Sequence, residues 1–372
     1  VYAQRAAAAA SVGVHAVRID ASAKNVEASH EHDKLRGVWW DGKRFLSVRV
    51  DEPLVFYDKT VLTVRHLSNP RNIDDILLYA LKRGALAVTP PQLRRDCTDK
   101  WKLFRCLDEA GVSTPETWLA YPDSLETALG CIDSVFVKPR SGTNGKGQFV
   151  IERIPRLSTR SPLQYSVAFP SGERKQLSSK ALWSYFKKRG VHSENYIIQE
   201  TVPVDTYFVE GEPRVYDFRV VLHRDGDALL GPSAVYMRVG ASKKLQANIA
   251  LGGFAHDPRL AFENGEELYR SLVSLAIDAA RAAEGPFAFG EVGVDILRDS
   301  EGNLCVIELN SKPGFSGPRA LARRLPSQKH SSVTPSYADS IAAEWRANLP
   351  RLLSRPFEYA THLGMLASRR DE

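Results

Sequence analysis

What the chain lacks narrows it first. It has four cysteines in 372 residues, Cys97, Cys106, Cys131 and Cys305, with neither C-x-x-C spacing nor the density of a disulfide scaffold. That usage points to a reduced, cytoplasmic protein. No apolar run approaches the roughly 20 residues of a membrane span. The alanine run from Ala6 to Ala10 lacks the longer apolar region and cleavage pattern of a signal peptide, so it reads as helix. Basic blocks with interleaved aromatics are missing as well, and Arg319 to Arg324 reads as a solvated face. The net charge of +6 and pI near 9.0 are modest over this length and suggest an anionic ligand before a nucleic acid. No Ser or Cys nucleophile triad is visible.

What is present fits a soluble globular chain. With 372 residues, 43% hydrophobic and 25% charged, there is room for two or three domains and a substantial core. Residues 1–95 read as a small α/β domain. An Ala-rich helix opens it, strand-like stretches lie at 13–19, 37–40, 45–50, 60–64 and 85–88, and an amphipathic helix covers 73–83. His30 and His32 read as part of a solvated loop, since no further ligand stands near them. Residues 96–325 form a second unit. Lys100 opens an amphipathic helix that runs through Leu103 and Leu107 and is ended by Gly111. A strand at 117–120, a helix at 124–129 and a buried strand ending at Lys138 follow. The Gly-rich loop 140–147 then joins that strand to another at 148–154, a hairpin whose backbone N–H groups can fold over phosphates. It is not a Walker A loop, because a strand follows it and Gly147 stands where Ser or Thr should follow Lys146. Residues 155–195 are polar, with one helix near 178–189, and read as an insertion. Strands at 195–202, 217–222 and 233–239 come next, the last two bringing Arg219 and Arg238. A long amphipathic helix covers 266–284, and 326–372 is a helical, arginine-containing segment.

The richest stretch is 292–315. Val292 to Leu297 and Leu304 to Leu309 are short apolar strands around the turn 299–303, an antiparallel hairpin. Glu308 and Asn310 are two apart and leave one face, which Asp295 on the partner strand can reach. A carboxylate inside Val306-Ile307-Glu308-Leu309-Asn310 is costly unless it is paired or bound to metal. Three oxygen-bearing side chains on one face suit a hard cation such as Mg²⁺, which shares its shell with phosphate oxygens. A plain solvated hairpin is the alternative. The following loop, 311–317, could carry a substrate contact.

Five pieces occur in one order: Asp99-Lys100, Val135-Phe-Val-Lys138-Pro, the Gly142–Gly147 loop, Gln199-Glu200-Thr-Val202, and Asp295 with Glu308-Leu-Asn310. With them the chain resembles the ATP-grasp superfamily of carboxylate–amine ligases over about residues 99–317. It is most similar to the spore-coat-associated group, with glutathione-synthetase-like, ribosomal-protein glutamate-ligase-like and peptide-ligase relatives. The resemblance implies an ATP-grasp fold of α/β and α+β class behind an N-terminal α/β domain, with ATP and Mg²⁺ as cofactors. It implies that Lys100 and Lys138 hold ATP phosphates and that Ser141, Gly142, Gly145, Lys146 and Gly147 close over them. Gln199, Glu200 and Val202 would meet adenine and ribose, and Asp295, Glu308 and Asn310 would bind Mg²⁺. Arg238 and Asn248 would face the transferred phosphate and the acyl oxygen. Arg219 would meet a substrate carboxylate or a phosphate, or else only pair with Asp217 or a neighbour.

The implied reaction joins a small-molecule or peptide carboxylate to an amine through an acyl phosphate, with no nucleic acid or membrane as partner and homo-oligomerisation left open. Two rivals remain: a nucleotide-binding structural or assembly protein with little turnover, and phosphorylation without ligation. One position departs from some relatives, which carry an arginine two residues before the first metal aspartate. Here that residue is Gly293, which leaves Arg238 as the charge expected at the tetrahedral intermediate.

Overall fold

The structure is a computed structural model, and it describes residues 2–12, 16–19, 35–40, 43–50, 55–57, 85–142, 147–155, 163–169, 173–242, 247, 249–323 and 332–368. Two antiparallel sheets position the site. The first has six strands in the order Arg174–Ser178, Gln164–Ala168, Phe149–Ile154, Ser134–Pro139, Tyr196–Glu200 and Thr117–Leu119. Its inward residues Val135, Val137, Ile151 and Val167 pack with Leu125 and Leu129 of the helix Pro122–Cys131 and with Leu182 and Phe186 of the helix Ser179–Lys188. Residues 155–195 contribute more than the one expected helix. Their two outer strands pair residue for residue and extend the sheet. Each is five residues long, with Tyr165 and Val167 turned inward between polar neighbours, too short a period to stand out in a polar stretch.

The second sheet has five strands in the order Phe254–His256, Leu230–Val239, Tyr216–Arg224, Glu291–Arg298 and Leu304–Asn310. Successive side chains on a strand point to opposite faces, and here the faces differ in character. Phe218, Val220, Leu222, Val235, Met237, Val292, Val294 and Ile296 pack with Leu268, Leu272, Ala276 and Ala279 of the helix Gly265–Glu284. Each such buried Val, Leu, Ile, Met or Phe side chain contributes about 1.5–3 kcal/mol. Asp217, Arg219, Arg238 and Asp295 leave by the opposite face. Further along, that face is covered by the helices Ser316–Arg323 and Pro335–Ser368, with Phe315, Leu321, Ile341 and Trp345 packed on Val221, Ala234 and Tyr236. A bulge refines the hairpin. Asp295 lies opposite Glu308 and Ile296 opposite Val306, so Ile307 has no partner across the ladder. The extra residue keeps Val306 in the core while Glu308, two further on, turns to the other face, which strict alternation forbids.

The N-terminal part holds the expected helix, Tyr2–Ala10, and an antiparallel sheet of Val17–Ile19, Leu35–Trp40 and Phe45–Val50. Val55–Phe56 and Leu86–Ala87 pair in parallel. The strand expected at 60–64, the helix expected at 73–83, His30 and His32 lie outside the described residues. Tyr57 ties this part to the second sheet: its O–H donates to Glu291 Oε2 at 2.8 Å, and the same oxygen meets His223 Nε2 at 2.9 Å. Close by, Gly290 N–H donates to Val88 O at 2.7 Å, and a Cβ on Gly290 would lie 2.2 Å from that oxygen. Only glycine permits this crossing. Among the described residues no helix is long and apolar enough to cross a membrane.

Candidate active site

Lys138 is the next-to-last residue of the strand Ser134–Pro139, and its Nζ donates to Gln199 Oε1 on the neighbouring strand at 2.5 Å. Gln199 Nε2 in turn donates to Thr117 Oγ1 at 2.8 Å. The side chain of Gln199 is therefore an orienter of Lys138, so any nucleotide contact at this position falls to its backbone. Burial, and then the charge of Lys100, push the Lys138 ammonium down to about 8, while Glu308 pulls it up. Lys100 Nζ donates to Gly142 O at 2.8 Å, and burial lowers it against the opposing pull of Glu308 and Asp99. The two lysines are brought together by Asp99. Its carboxylate caps the helix Lys100–Glu109 at Trp101 N and Lys102 N and grips Arg140, just past Lys138, with bonds of 2.7 and 2.6 Å. Ser141 and Gly142 are exposed. Gly147 has φ +75°, and a Cβ there would meet the Tyr196 hydroxyl at 3.2 Å. Gly145 and Lys146 lie outside the described residues. Glu200 Oε2 accepts from Glu116 N at 3.3 Å, and Val202 is half-buried.

Across the second sheet, four charges interlock. Arg219 Nε and Nη2 donate to the two oxygens of Asp295 at 2.6 Å each. Arg238 Nε and Nη2 donate to Asp217 at 2.6 Å each, and its Nη2 also reaches Asp295 at 2.9 Å. Arg219 thus pairs with Asp295 and not with Asp217. Burial alone would raise the Asp295 carboxyl, but the two guanidiniums outweigh it and hold it below the usual range. Glu308 lies directly opposite Asp295. Burial and then the Asp295 charge push its carboxyl up, against Lys100, Arg219 and Lys138. Among the described residues no hydrogen bond or ion pair holds Glu308. Asn310 Oδ1 accepts from Lys312 N at 3.0 Å. No group of three or more His, Cys, Asp and Glu side chains with metal-binding geometry occurs among the described residues; the expected trio is two carboxylates and an amide.

The structure shows what surrounds Gly293. A Cβ there would lie 2.9 Å from Pro313 Cβ and 3.7 Å from Arg219 Cδ. Pro313 fills the space a side chain would need, and the Arg219 side chain from the adjacent strand passes alongside. Asn248 lies outside the described residues; the turn Ile249–Leu251 follows it. Thr117 was missed as a part of the site, while Asp217 was named only as a possible partner of Arg219 and Arg140 only as the start of the loop 140–147. Asp217 had a signal, being two residues before Arg219 in an otherwise apolar strand.

The class this architecture defines is ATP-grasp. Within it the chain belongs to the YheC/D-like ATP-grasp family, whose description matches residues 91–341, well over half of its length. Among curated proteins it is similar to the endospore coat-associated protein YheD of Bacillus subtilis (strain 168), 22% identical over 278 residues. That match covers 71% of this chain and 57% of YheD, so the chain spans little more than half of that relative. Solved structures similar to it include the ATP-grasp ligase PsnB with a minimal precursor (TM-score 0.49, 15% identity, covering 92% of this chain and 94% of that one). Another is the D-alanine-D-alanine ligase from Coxiella burnetii (TM-score 0.47, 12% identity, 93% and 81%).

Proposed function

We propose that the protein is an ATP-dependent, Mg²⁺-dependent carboxylate–amine ligase acting in the cytoplasm on a small-molecule or peptide acid. One observation carries this reading. The half-buried Glu308 carboxylate, without a hydrogen-bond partner among the described residues, lies in the field of Lys100, Lys138 and Arg219. A carboxylate so placed fits a hard cation, and with Asp295 and Asn310 it offers the oxygen donors such an ion takes. Bound there, Mg²⁺ would neutralise charge on the phosphate oxygens. Lys100 and Lys138 hold the phosphates as point charges. An oxygen of the acid attacks the γ-phosphorus, the bond to ADP breaks, and an acyl phosphate forms. The amine nitrogen then attacks the acyl carbon, phosphate leaves, and the nitrogen gives up a proton. Arg219 and Arg238 keep their Nη1 edges for the acid and for the oxyanion of the second step.

The test is ADP release across a panel of amino acids and dipeptides, with and without an amine. Acid-dependent release of ADP is expected. AMP and pyrophosphate would overturn the acyl-phosphate scheme, and nucleotide binding without acid-dependent turnover would favour a structural or assembly role.

A further inference from the structure

A second group of guanidiniums gathers beside the Arg219–Arg238 patch. Arg319 and Arg323 lie one turn apart on the helix Ser316–Arg323, and Arg5 comes from the helix Tyr2–Ala10. The Arg5 guanidinium lies 5.8 Å from the ring centre of Phe315, and Phe315 O accepts the N–H of Arg319 at 3.1 Å. Arg5 and Arg319 therefore stand around one residue. Arg5 Nε and Arg319 Nη2 are buried donors with no acceptor among the described residues. The Phe315 ring faces the Arg5 guanidinium but offers these donors no oxygen acceptor, and folded proteins rarely leave buried donors unpaired. Burial, and then the charges of Arg5 and Arg323, also lower Arg319. Converging like charges are unfavourable by themselves and favourable around an anion.

The place of this cluster gives it meaning. Only residues 311–318 separate Asn310 from Arg319. Within them Pro313 packs on Gly293, and Gly317 lies against Tyr236, where a Cβ would come within 2.3 Å of the ring. Tyr236 is the cross-strand partner of Arg219. The arginines thus sit on the same face of the sheet as the charged patch, at the end facing the N-terminal helix.

We propose that Arg5, Arg319 and Arg323 form a subsite for a second anionic group of the acid substrate. One carboxylate lies at the Arg219–Arg238 patch to be activated, and another carboxylate or a phosphate monoester is held by this cluster. The substrate is then a dianion, an assignment that rests on the ligase reading above.

The experiment is calorimetric titration of the protein, saturated with Mg-ADP so that Lys100 and Lys138 are engaged, with succinate, O-phosphoserine and acetate. Wild type is compared with Arg5→Gln, Arg319→Gln and the exposed Arg323→Gln, and nucleotide Kd is measured for each as a check on folding. A dianion is expected to bind at least about tenfold tighter than acetate, and the variants to lose that advantage at unchanged nucleotide Kd. Whether succinate or phosphoserine binds better identifies the group. A wild type with no preference for dianions, or variants that retain it, overturns the subsite. If the preference needs the arginines yet no acid releases ADP, the subsite stands and the ligase reading falls. ADP release driven equally by monoacids, without dianion preference, does the reverse.

Discussion

Asp217→Asn asks most of this site. Asp217 is buried, and its carboxylate takes two 2.6 Å bonds from Arg238. With Arg219 and Asp295 the group is neutral, and the amide leaves it with one positive charge in excess. Arg238 would then keep only its 2.9 Å bond to Asp295, and the new NH₂ would face a guanidinium that has nothing but donors. Breaking a buried pair costs about 3–5 kcal/mol. The surviving bond to Asp295, and the burial that already disfavours the Asp217 charge, place this case below that range, at about 1 kcal/mol, seen as a small fall in Tm. For turnover, displacement of Arg238 by about 1 Å costs on the order of 10²-fold in kcat. Nucleotide Kd should stay within about threefold, because Lys100 and Lys138 have their own partners and no contact with Asp217. The pH dependence tests the same point. Burial pushes the Asp217 carboxyl up to about 6 from an ordinary 3.8, with Arg238 opposing. Raised in the fold, this group takes a proton before the unfolded chain does, so its contribution to stability falls as pH rises between those values. Its hold on Arg238 needs the charged form, so kcat should fall as pH drops through about 6. Asp295, lowered in the fold, has the opposite effect: its contribution is present above its unfolded value and lost as pH falls through its folded one. The measurements are Tm, kcat for acid-dependent ADP release, and nucleotide Kd, each above and below pH 6. Unchanged kcat at unchanged Tm, or equal losses of nucleotide binding and turnover, refutes the role given to Asp217.

Three further outcomes are expected. Glu308→Gln should lower kcat by about 10²–10³ while Tm holds or rises, since burial disfavours the charge that the amide removes; full ADP release in this variant would take Glu308 out of the site. Nucleotide affinity should weaken as pH rises through about 8, where Lys138 loses its charge, and a Kd that is flat across that range would remove the lysine from phosphate binding. Gly293→Ala would put a methyl 2.9 Å from the Pro313 ring, an overpacking worth about 1–3 kcal/mol, and should raise KM for the acid more than nucleotide Kd; wild-type Tm and KM would mean that the loop yields freely.

Much of the second unit was legible because its signals are local. Lys100 opens a helix behind the capping residue Asp99, Lys138 is next to last in an apolar strand, and the hairpin from 291 to 310 announces itself by two short runs around a Gly-containing turn. Spacing also brought Glu308 and Asn310 to one face. The rest depended on neighbours that sequence order does not reveal. Nothing local says that Arg219 holds Asp295 while Arg238 holds Asp217, since register between strands sets both pairs. Nothing local marks the bulge at Ile307 or the ring of Pro313 in the space above Gly293. The strands Gln164–Ala168 and Arg174–Ser178 were hidden for a different reason: each is only five residues long with polar outward side chains, and Arg174–Ser178 is the sheet edge, so too little apolar period shows. The helix Pro91–Thr98 was also unforeseen; Pro91 suits a first helical turn as readily as it ends a strand.

The bulge has a consequence for how variation in this protein will read. Along Tyr216–Arg224 the even positions 218, 220 and 222 sit in the core, while the odd positions 217 and 219 carry charge. On Leu304–Asn310 a single parity does not hold from end to end, because Val306 and Leu309 are both in the core and Glu308 lies between them on the other face. A saturation scan scored separately for protein abundance and for turnover should therefore show two interleaved barcodes on the first strand, one per column. On the last strand the barcode should skip a beat at Ile307, and the position of that skip would give the phase of the hairpin from phenotypes alone.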